Sequence, residues 1–395
     1  MLSNLEIVSL VLILFSALGI SSVFFFYPCL VWILSLLVGK PPLYEKQISP
    51  RPVSIIIAIR GDLSLLPEKL KSLRSLTYPN ELLEVIVCFD DEIKKVPENI
   101  INAFPTAKFI SLGKKMGKAF ALNKAVEVST GELLLFTDAD AILAPDTIQN
   151  LIIHFHDPHI GGISGRRVIG EVVDHIAGPQ RLYIDLDSFI KEKESIIGST
   201  TGNDGKLYII RRDHFEPIDP KSTDDLFCML TIVRKGSRFV YEKNALAFIK
   251  KPSRTFLHEV VRRRRIVSGS FKAMWLNRSI FNPFRYKFYS FSLFVNKVLR
   301  RLLGLFFAII FISSYFLSPK FLTFKMVFLL QVAFCLFSIS DPIISYSARK
   351  VKQLGIFSRI SAVGLYFIAG CIGSTLGIVD FLFRDSPRSW EPKKS

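Results

Sequence analysis

The stretch LLLFTDADA, residues 133–141, runs from Leu133 to Thr137 through apolar or nearly apolar positions and then meets Asp138 and Asp140, with only Ala139 between them. A short hydrophobic run without alternation reads as a strand covered on both faces. Two carboxylates at its mouth repel each other and prefer water. A hard divalent cation, Mg2+ or Mn2+, removes that conflict, because it binds one or two protein carboxylates and takes further oxygens from a substrate phosphate. The plainer alternative is Asp used as a turn or helix N-cap residue.

The same pattern repeats upstream. VSIIIAI (53–59), the amphipathic LLPEKLKSLRSL (65–76), EVIVCF (84–89), AKFISL (107–112) and the helical GKAFALNKAVEV (117–128) alternate strand with helix. Such alternation predicts an α/β domain with a doubly wound, mostly parallel sheet whose ligands bind beyond the carboxyl ends of the strands. Asp90 and Asp91 close EVIVCF as Asp138 and Asp140 close the later strand, so both acid clusters belong on one sheet edge.

The flanks are of another kind. Half of the 395 residues are hydrophobic, and residues 5–39 form one apolar stretch with Glu6 as its only charge. It predicts a span to about Tyr27, a kink at Pro28 and a continuation along the interface, with two short spans as the alternative. Lys40, Lys46 and Arg51 follow it, which places the next domain in the cytoplasm by the positive-inside rule. The reading is a membrane segment at 1–40, a linker at 41–52, the α/β domain at 53–250, basic and amphipathic interfacial helices at 251–300, membrane helices at 301–383 and a tail at 384–395. Apolar runs lie at about 302–318, 322–340 and 360–383. The last one, interrupted by Gly370, Gly373 and Gly377, is either re-entrant or leaves the tail outside. A net charge of +17 asks for an anionic partner, and its position beside apolar runs favours membrane lipid over nucleic acid. The five cysteines lack CxxC spacing and indicate neither a disulfide framework nor zinc.

In the order of its motifs the chain resembles the membrane-integrated family-2 glycosyltransferases, relatives of the cellulose, hyaluronan and poly-N-acetylglucosamine synthases, which have a GT-A fold. VSIIIAIRGD looks like the first nucleotide-binding strand and turn, GKAFALNKA like the family's GKAxALN, and TDAD like its metal-binding DxD. TGNDGKLYIIRRDHF is similar to the acceptor-side segment, STDDLF to the motif with the catalytic base, RRRRI stands where QxxRW is expected, and SWEP closes the chain.

The resemblance implies a role for each matching residue. Asp140 and Asp138 hold the metal, with Asp138 alternatively on the ribose. Arg60, Asp90, Lys118, Asp138, Arg262 and Arg265 serve the nucleotide sugar, Arg262 and Arg265 on its diphosphate. Asn203, Asp204, Gly205 and Arg211 belong to the acceptor side. Asp225 is the general base, and Asp224, whose adjacent charge raises a carboxyl pKa, suits the same work. Each has an ordinary alternative: a turn for Asp90 and Asn203, a solvated side chain for Lys118, a strand-end pair for Arg211 and Arg212, an N-cap for Thr223-Asp224-Asp225. Arg263 and Arg264 point elsewhere on the helix and are expected to meet lipid.

The implied function is inverting transfer from a nucleotide-diphosphate sugar, UDP-linked, to a polysaccharide or lipid-linked acceptor, at the cytoplasmic face of a multi-pass cell-membrane protein. Ile266 stands where the family has Trp and Arg262 where it has Gln, which weakens the case for a long polymer. A non-catalytic membrane scaffold with the same fold is the competing expectation.

Overall fold

The computed structural model describes residues 3–38, 49–61, 63–91, 98–169, 177–249, 255–341 and 355–384. The linker before residue 49, the basic loop with Arg349, Lys350 and Lys352, and the tail with SWEP lie outside them.

Helix α1 (Asn4–Ser21) starts with a capping box in which Ser3 and Glu6 satisfy each other's backbone amides. It passes through a π-helical turn, Ser22–Phe26, into α2 (Tyr27–Leu37). Pro28 has no amide hydrogen, so the carbonyl four residues earlier loses its donor and the wide turn forms there. Asn4–Leu37 is thus one apolar helix of 34 residues, without the reversal that two spans require. At 1.5 Å per residue it is about 50 Å long, against a bilayer core of roughly 30 Å.

The α/β unit follows as β1 (Val53–Ile59), α3 (Leu66–Arg74), β2 (Leu83–Phe89), α4 (Glu98–Ala103), β3 (Ala107–Ser111), α5 (Lys118–Glu127), β4 (Leu133–Thr137) and β5 (Ala141–Leu143). It continues with α6 (Thr147–Ile152), β6 (Ile160–Ile169), α7 (Ala177–Ile197), β7 (Leu207–Arg211), α8 (Asp224–Arg234) and β8 (Arg238–Ile249). These strands form one eight-stranded sheet of order β3-β2-β1-β4-β7-β6-β8-β5. The run from β3 to β4 is parallel, as expected, and β6 pairs β8 in parallel too. The sheet as a whole is mixed, because β7 runs antiparallel to both β4 and β6, and β5 to β8.

Every residue of β1 and β4 is buried. Val53, Ile55, Ile57 and Ile59 pack on one face against Leu66, Leu70 and Leu73 of α3. Ile56 and Ala58 pack on the other against Ala121, Leu122 and Ala125 of α5. Two covered faces are why these strands read as unbroken hydrophobic runs. Between β1 and β4 the strand order reverses direction, which opens a crevice at their carboxyl ends.

Beyond the sheet come α9 (Phe256–Leu276), α10 (Pro283–Tyr286), α11 (Phe288–Leu293), α12 (Leu303–Leu317), α13 (Leu322–Ile339) and α14 (Gly355–Phe383). Among the described residues, four helical stretches are long and apolar enough to cross a membrane: Asn4–Leu37, Phe288–Leu317, Leu322–Ile339 and Gly355–Phe383. The second runs through residue 300, so the expected boundary between interfacial and membrane helices is no break in the chain.

Helix α14 is uninterrupted at its glycines. They serve close packing on α9: a Cβ on Gly373 would lie 2.7 Å from the Val260 carbonyl oxygen, and one on Gly377 2.6 Å from that of Arg264. Gly377→Leu is expected to cost about 1–3 kcal/mol by overpacking and to lower the denaturation midpoint of the full chain in detergent. Gly370→Leu, where a Cβ would meet nothing within 4 Å, should leave the midpoint in place.

Candidate active site

Three strand ends deliver the first groups. Arg60 follows β1, Asp90 follows β2, and Asp138 follows β4. Asp90 is fully buried. Its Oδ1 accepts from the amides of Met116 (2.7 Å) and Gly117 (2.8 Å), which fixes the turn into α5. Gly117 has φ +111°, a conformation open to glycine, and this brings Lys118 to the first position of the helix. Asp90 Oδ2 is buried without a hydrogen-bond partner among the described residues, with an Arg60 nitrogen 3.9 Å away.

The opening acids are neutralised by lysines. Lys206 Nζ lies 2.9 Å from Asp138 and 2.7 Å from Asp140, and Lys118 Nζ lies 3.0 Å from Asp138 and 3.0 Å from Asp224. Burial alone would raise the Asp138 pKa, but Lys118 and Lys206 outweigh it and hold the carboxyl below its ordinary range. Burial likewise favours the neutral form of Lys118, and Asp138 and Asp224 reverse that preference. A third ammonium stands behind them: Lys69 of α3 is fully buried and donates to Thr137 Oγ1 (2.9 Å) and to the Ala141 carbonyl. Burial lowers its pKa to about 7, opposed by Asp138 and Asp140.

Asp224 and Asp225 open α8, where the helix dipole favours acids. Thr223 sits at the N-cap, yet its side chain makes no capping bond. Asp225 Oδ1 accepts from the Leu226 amide at 2.8 Å, and Asn203 donates to the Asp225 carbonyl at 2.9 Å. Unlike Asp224, Asp225 has no lysine within bonding distance among the described residues. Burial and the neighbouring Asp224 charge push its carboxyl up to about 6, against Leu226 N–H and Lys118.

A cavity of about 660 Å³ joins these groups. It is lined by Lys118, Asp138, Asn203, Asp204, Gly205, Asp224, Asp225, Arg262 and Arg265 among the expected residues, and by Lys206 besides. Asp140 lies behind Lys206, and Arg60 and Asp90 stand on neighbouring strand ends outside the lining.

Arg211 does not belong to the acceptor side. Because β7 runs antiparallel to β4, Leu207 pairs with Thr137 near the site while Arg211 pairs with Leu133 at the opposite edge. There it donates to the carbonyls of Ile160 (2.8 Å) and Phe155 (2.9 Å) and covers the Phe155 ring. Arg212 likewise bonds Gly131 and Ser129.

The arginine run divides by helix geometry. Arg262 and Arg263 share Glu259, Arg263 also donates to Tyr366 of α14, and Arg264 grips Asp380 of α14 with both nitrogens. Arg263 and Arg264 therefore have protein partners where lipid was expected. Arg265 faces the cavity and feels the charges of Asp224, Asp138 and Asp225.

The loop before Asn203 is tied to the first apolar helix. The buried Glu194 carboxylate accepts from Tyr27 Oη, Thr200 Oγ1 and both the amide and hydroxyl of Thr201, and Asn296 donates to Thr201 Oγ1.

The Glycosyl transferase family 2 profile matches residues 54–219. A β-monoglucosyldiacylglycerol synthase of Nostoc sp. is 24% identical over 205 residues, covering 49% of this chain and 44% of the relative. A poly-β-1,6-N-acetyl-D-glucosamine synthase of Staphylococcus aureus is 24% identical over 213 residues, covering 51% of this chain and 50% of the relative. The chain thus matches about half the length of each. Among solved structures, the mannosyltransferase PcManGT of Pyrobaculum calidifontis, in complex with GDP-Man and Mn2+, superposes with a TM-score of 0.66 at 20% identity, covering 96% of this chain and 99% of that one. Residues 54–219 thus match the glycosyltransferase family 2 profile, and the sheet they help build has a GT-A fold.

Proposed function

We propose that the protein is an integral membrane glycosyltransferase that moves a sugar from a nucleotide-diphosphate donor to a polysaccharide or lipid-linked acceptor with inversion, its α/β domain on the cytoplasmic side. The observation that carries this is the shared cavity: Asp138, charged and paired, and Asp225, unpaired and raised toward neutrality, open into one space at the switch point of the sheet.

The residues divide the work. Asp90, with its unpartnered Oδ2, and Arg60 suit the polar edge of a nucleoside. Arg265 and Lys118 offset charge on the diphosphate. Asp225 receives the proton of the acceptor hydroxyl as its oxygen bonds to the anomeric carbon, while the sugar–phosphate C–O bond breaks and its electron pair departs with the nucleoside diphosphate. Asn203 and Gly205 border Asp225 and shape the acceptor side.

A divalent cation fits the opening acids. Oxygens of Asp138 and Asp140 converge on one point, now the Lys206 ammonium, and two carboxylates are what a substrate-bound Mg2+ or Mn2+ needs from a protein. Among the described residues no cluster of three or more His, Cys, Asp or Glu supplies an all-protein cage. When bound, the ion supplies electrophilic stabilisation of the leaving diphosphate.

Asp225→Asn is expected to lower labelled-sugar transfer by about 10²–10⁴-fold while calorimetry with nucleotide sugars shows binding retained; undiminished transfer would remove the proposed base. A base must be deprotonated to act, so the wild-type rate should fall as pH drops through about 6. The groups setting that limb are Asp224, Asp204 and Lys118, with Arg265 and Arg301 also in electrostatic reach of Asp225. Chelation should abolish transfer and Mn2+ restore it, and Asp140→Asn should weaken Mn2+ binding read by paramagnetic resonance.

A further inference from the structure

A second end of the cavity is walled by the long apolar helices. Its wall includes Phe24 from the π-helical turn of the first helix, Leu186 of α7, Leu303 of α12, and Val363 and Phe367 of α14. Against this apolar wall stand five cations: Arg167, Lys191, Lys297, Arg300 and Arg301. Two carboxylates answer them. Asp187 pairs Lys191 (2.7 Å) and Arg300 (3.3 Å), and Asp204 lies 3.4 Å from Arg167.

Beyond these pairs the positive charge is in excess of the close carboxylates. Lys297 and Arg301 form no ion pair among the described residues, and Arg167 Nε is buried without a hydrogen bond. The half-buried Tyr183 reports the resulting potential. Burial would raise its phenol, but Arg300 and Arg263, whose guanidinium carbons lie 5.2 and 4.8 Å from the ring centre, bring it down to about 8.

These cations line the same cavity as Asp225. Arg265 feels Asp224, Asp138 and Asp225, Arg301 feels Asp225, and Lys297 feels Asp187. Lys297, Arg300 and Arg301 also immediately precede the apolar core of the Phe288–Leu317 helix, and basic residues beside an apolar span are drawn to anionic lipid headgroups. A phosphate acceptor oxygen would bring no proton for Asp225 to take. The phosphate therefore belongs beside the accepting group, and a hydroxyl is what faces the base.

We propose that this end of the cavity binds the phosphate of a hydroxyl-bearing phospholipid, through Lys297 and Arg301 with Arg167 and Arg300, and that this headgroup hydroxyl is the sugar acceptor. The acceptor half of the proposal rests on the glycosyltransferase reading above; the binding half does not.

The test uses the full chain in phosphatidylcholine nanodiscs. Binding of a fluorescent short-chain phosphatidylglycerol is measured without donor, and transfer of labelled sugar from a panel of nucleotide sugars is compared for phosphatidylglycerol, phosphatidylinositol and diacylglycerol. Lys297→Gln and Arg301→Gln should each weaken phospholipid binding and raise its KM by about tenfold, the scale of one lost charge-assisted hydrogen bond. Nucleotide-sugar affinity should not move, and Lys297→Arg should restore binding.

Diacylglycerol accepting sugar as well as the phospholipids do would overturn the acceptor assignment. Loss of donor affinity in Lys297→Gln and Arg301→Gln would give these cations to the diphosphate. Competition by free glycerol 3-phosphate as strong as by the lipid would make the site one for a soluble phosphate and overturn the lipid. Phospholipid binding that depends on Lys297 and Arg301, with no transfer from any nucleotide sugar, would sink the transferase reading while upholding the binding site.

Discussion

The site depends on lysine ammoniums shared between acids from different elements. Lys118 from the start of α5 joins the end of β4 to the start of α8, and Lys206, just before β7, joins the two acids of the DAD stretch. Without those cations, Asp138, Asp140 and Asp224 would stand as repelling charges in a partly dehydrated crevice. With them, the four elements are held in one relation. Asp225 gains no such partner, and the same crowding of charge that is neutralised at Asp138 leaves Asp225 near the point of protonation. Pairing some acids and leaving one apart gives a single cavity carboxyls of opposite tendency, one held charged and one raised toward neutrality.

Much of this arrangement is legible in the amino-acid order. Unbroken runs such as VSIIIAI and LLLFT announce doubly covered strands, and acids at their ends announce the ligand edge. Strand direction is not legible from a hydrophobic run. Arg211 looks like a neighbour of Asn203 in the chain, but antiparallel pairing of β7 carries it to the far edge of the sheet. Lys69 is hidden for another reason: LPEKLKSLR has an amphipathic helix pattern in which lysines read as solvated, and only tertiary packing shows one reaching the end of β4.

The arginine run shows the same limit. Its Glu259 partner lies one helical turn away and is readable from spacing. Its Asp380 partner is on α14, distant in sequence, and the glycines that let α14 approach α9 look locally like interruptions of a span. What reads as helix breaking serves helix contact. The cavity cations Arg167, Lys297 and Arg301 are not legible as a group, because they come from a strand and from an apolar helix and no single motif contains them.

The bond network around Glu194 has a mechanical consequence. Tyr27 sits where the first helix leaves its π-helical turn, and it shares that carboxylate with Thr200 and Thr201, two residues before the loop that covers Asp225. A helix longer than the hydrocarbon layer tilts to fit it, and the tilt changes with lipid thickness. Tyr27 thereby joins the first helix to the loop that bonds the Asp225 carbonyl, so a change in the tilt of that helix would pull on one side of the cavity.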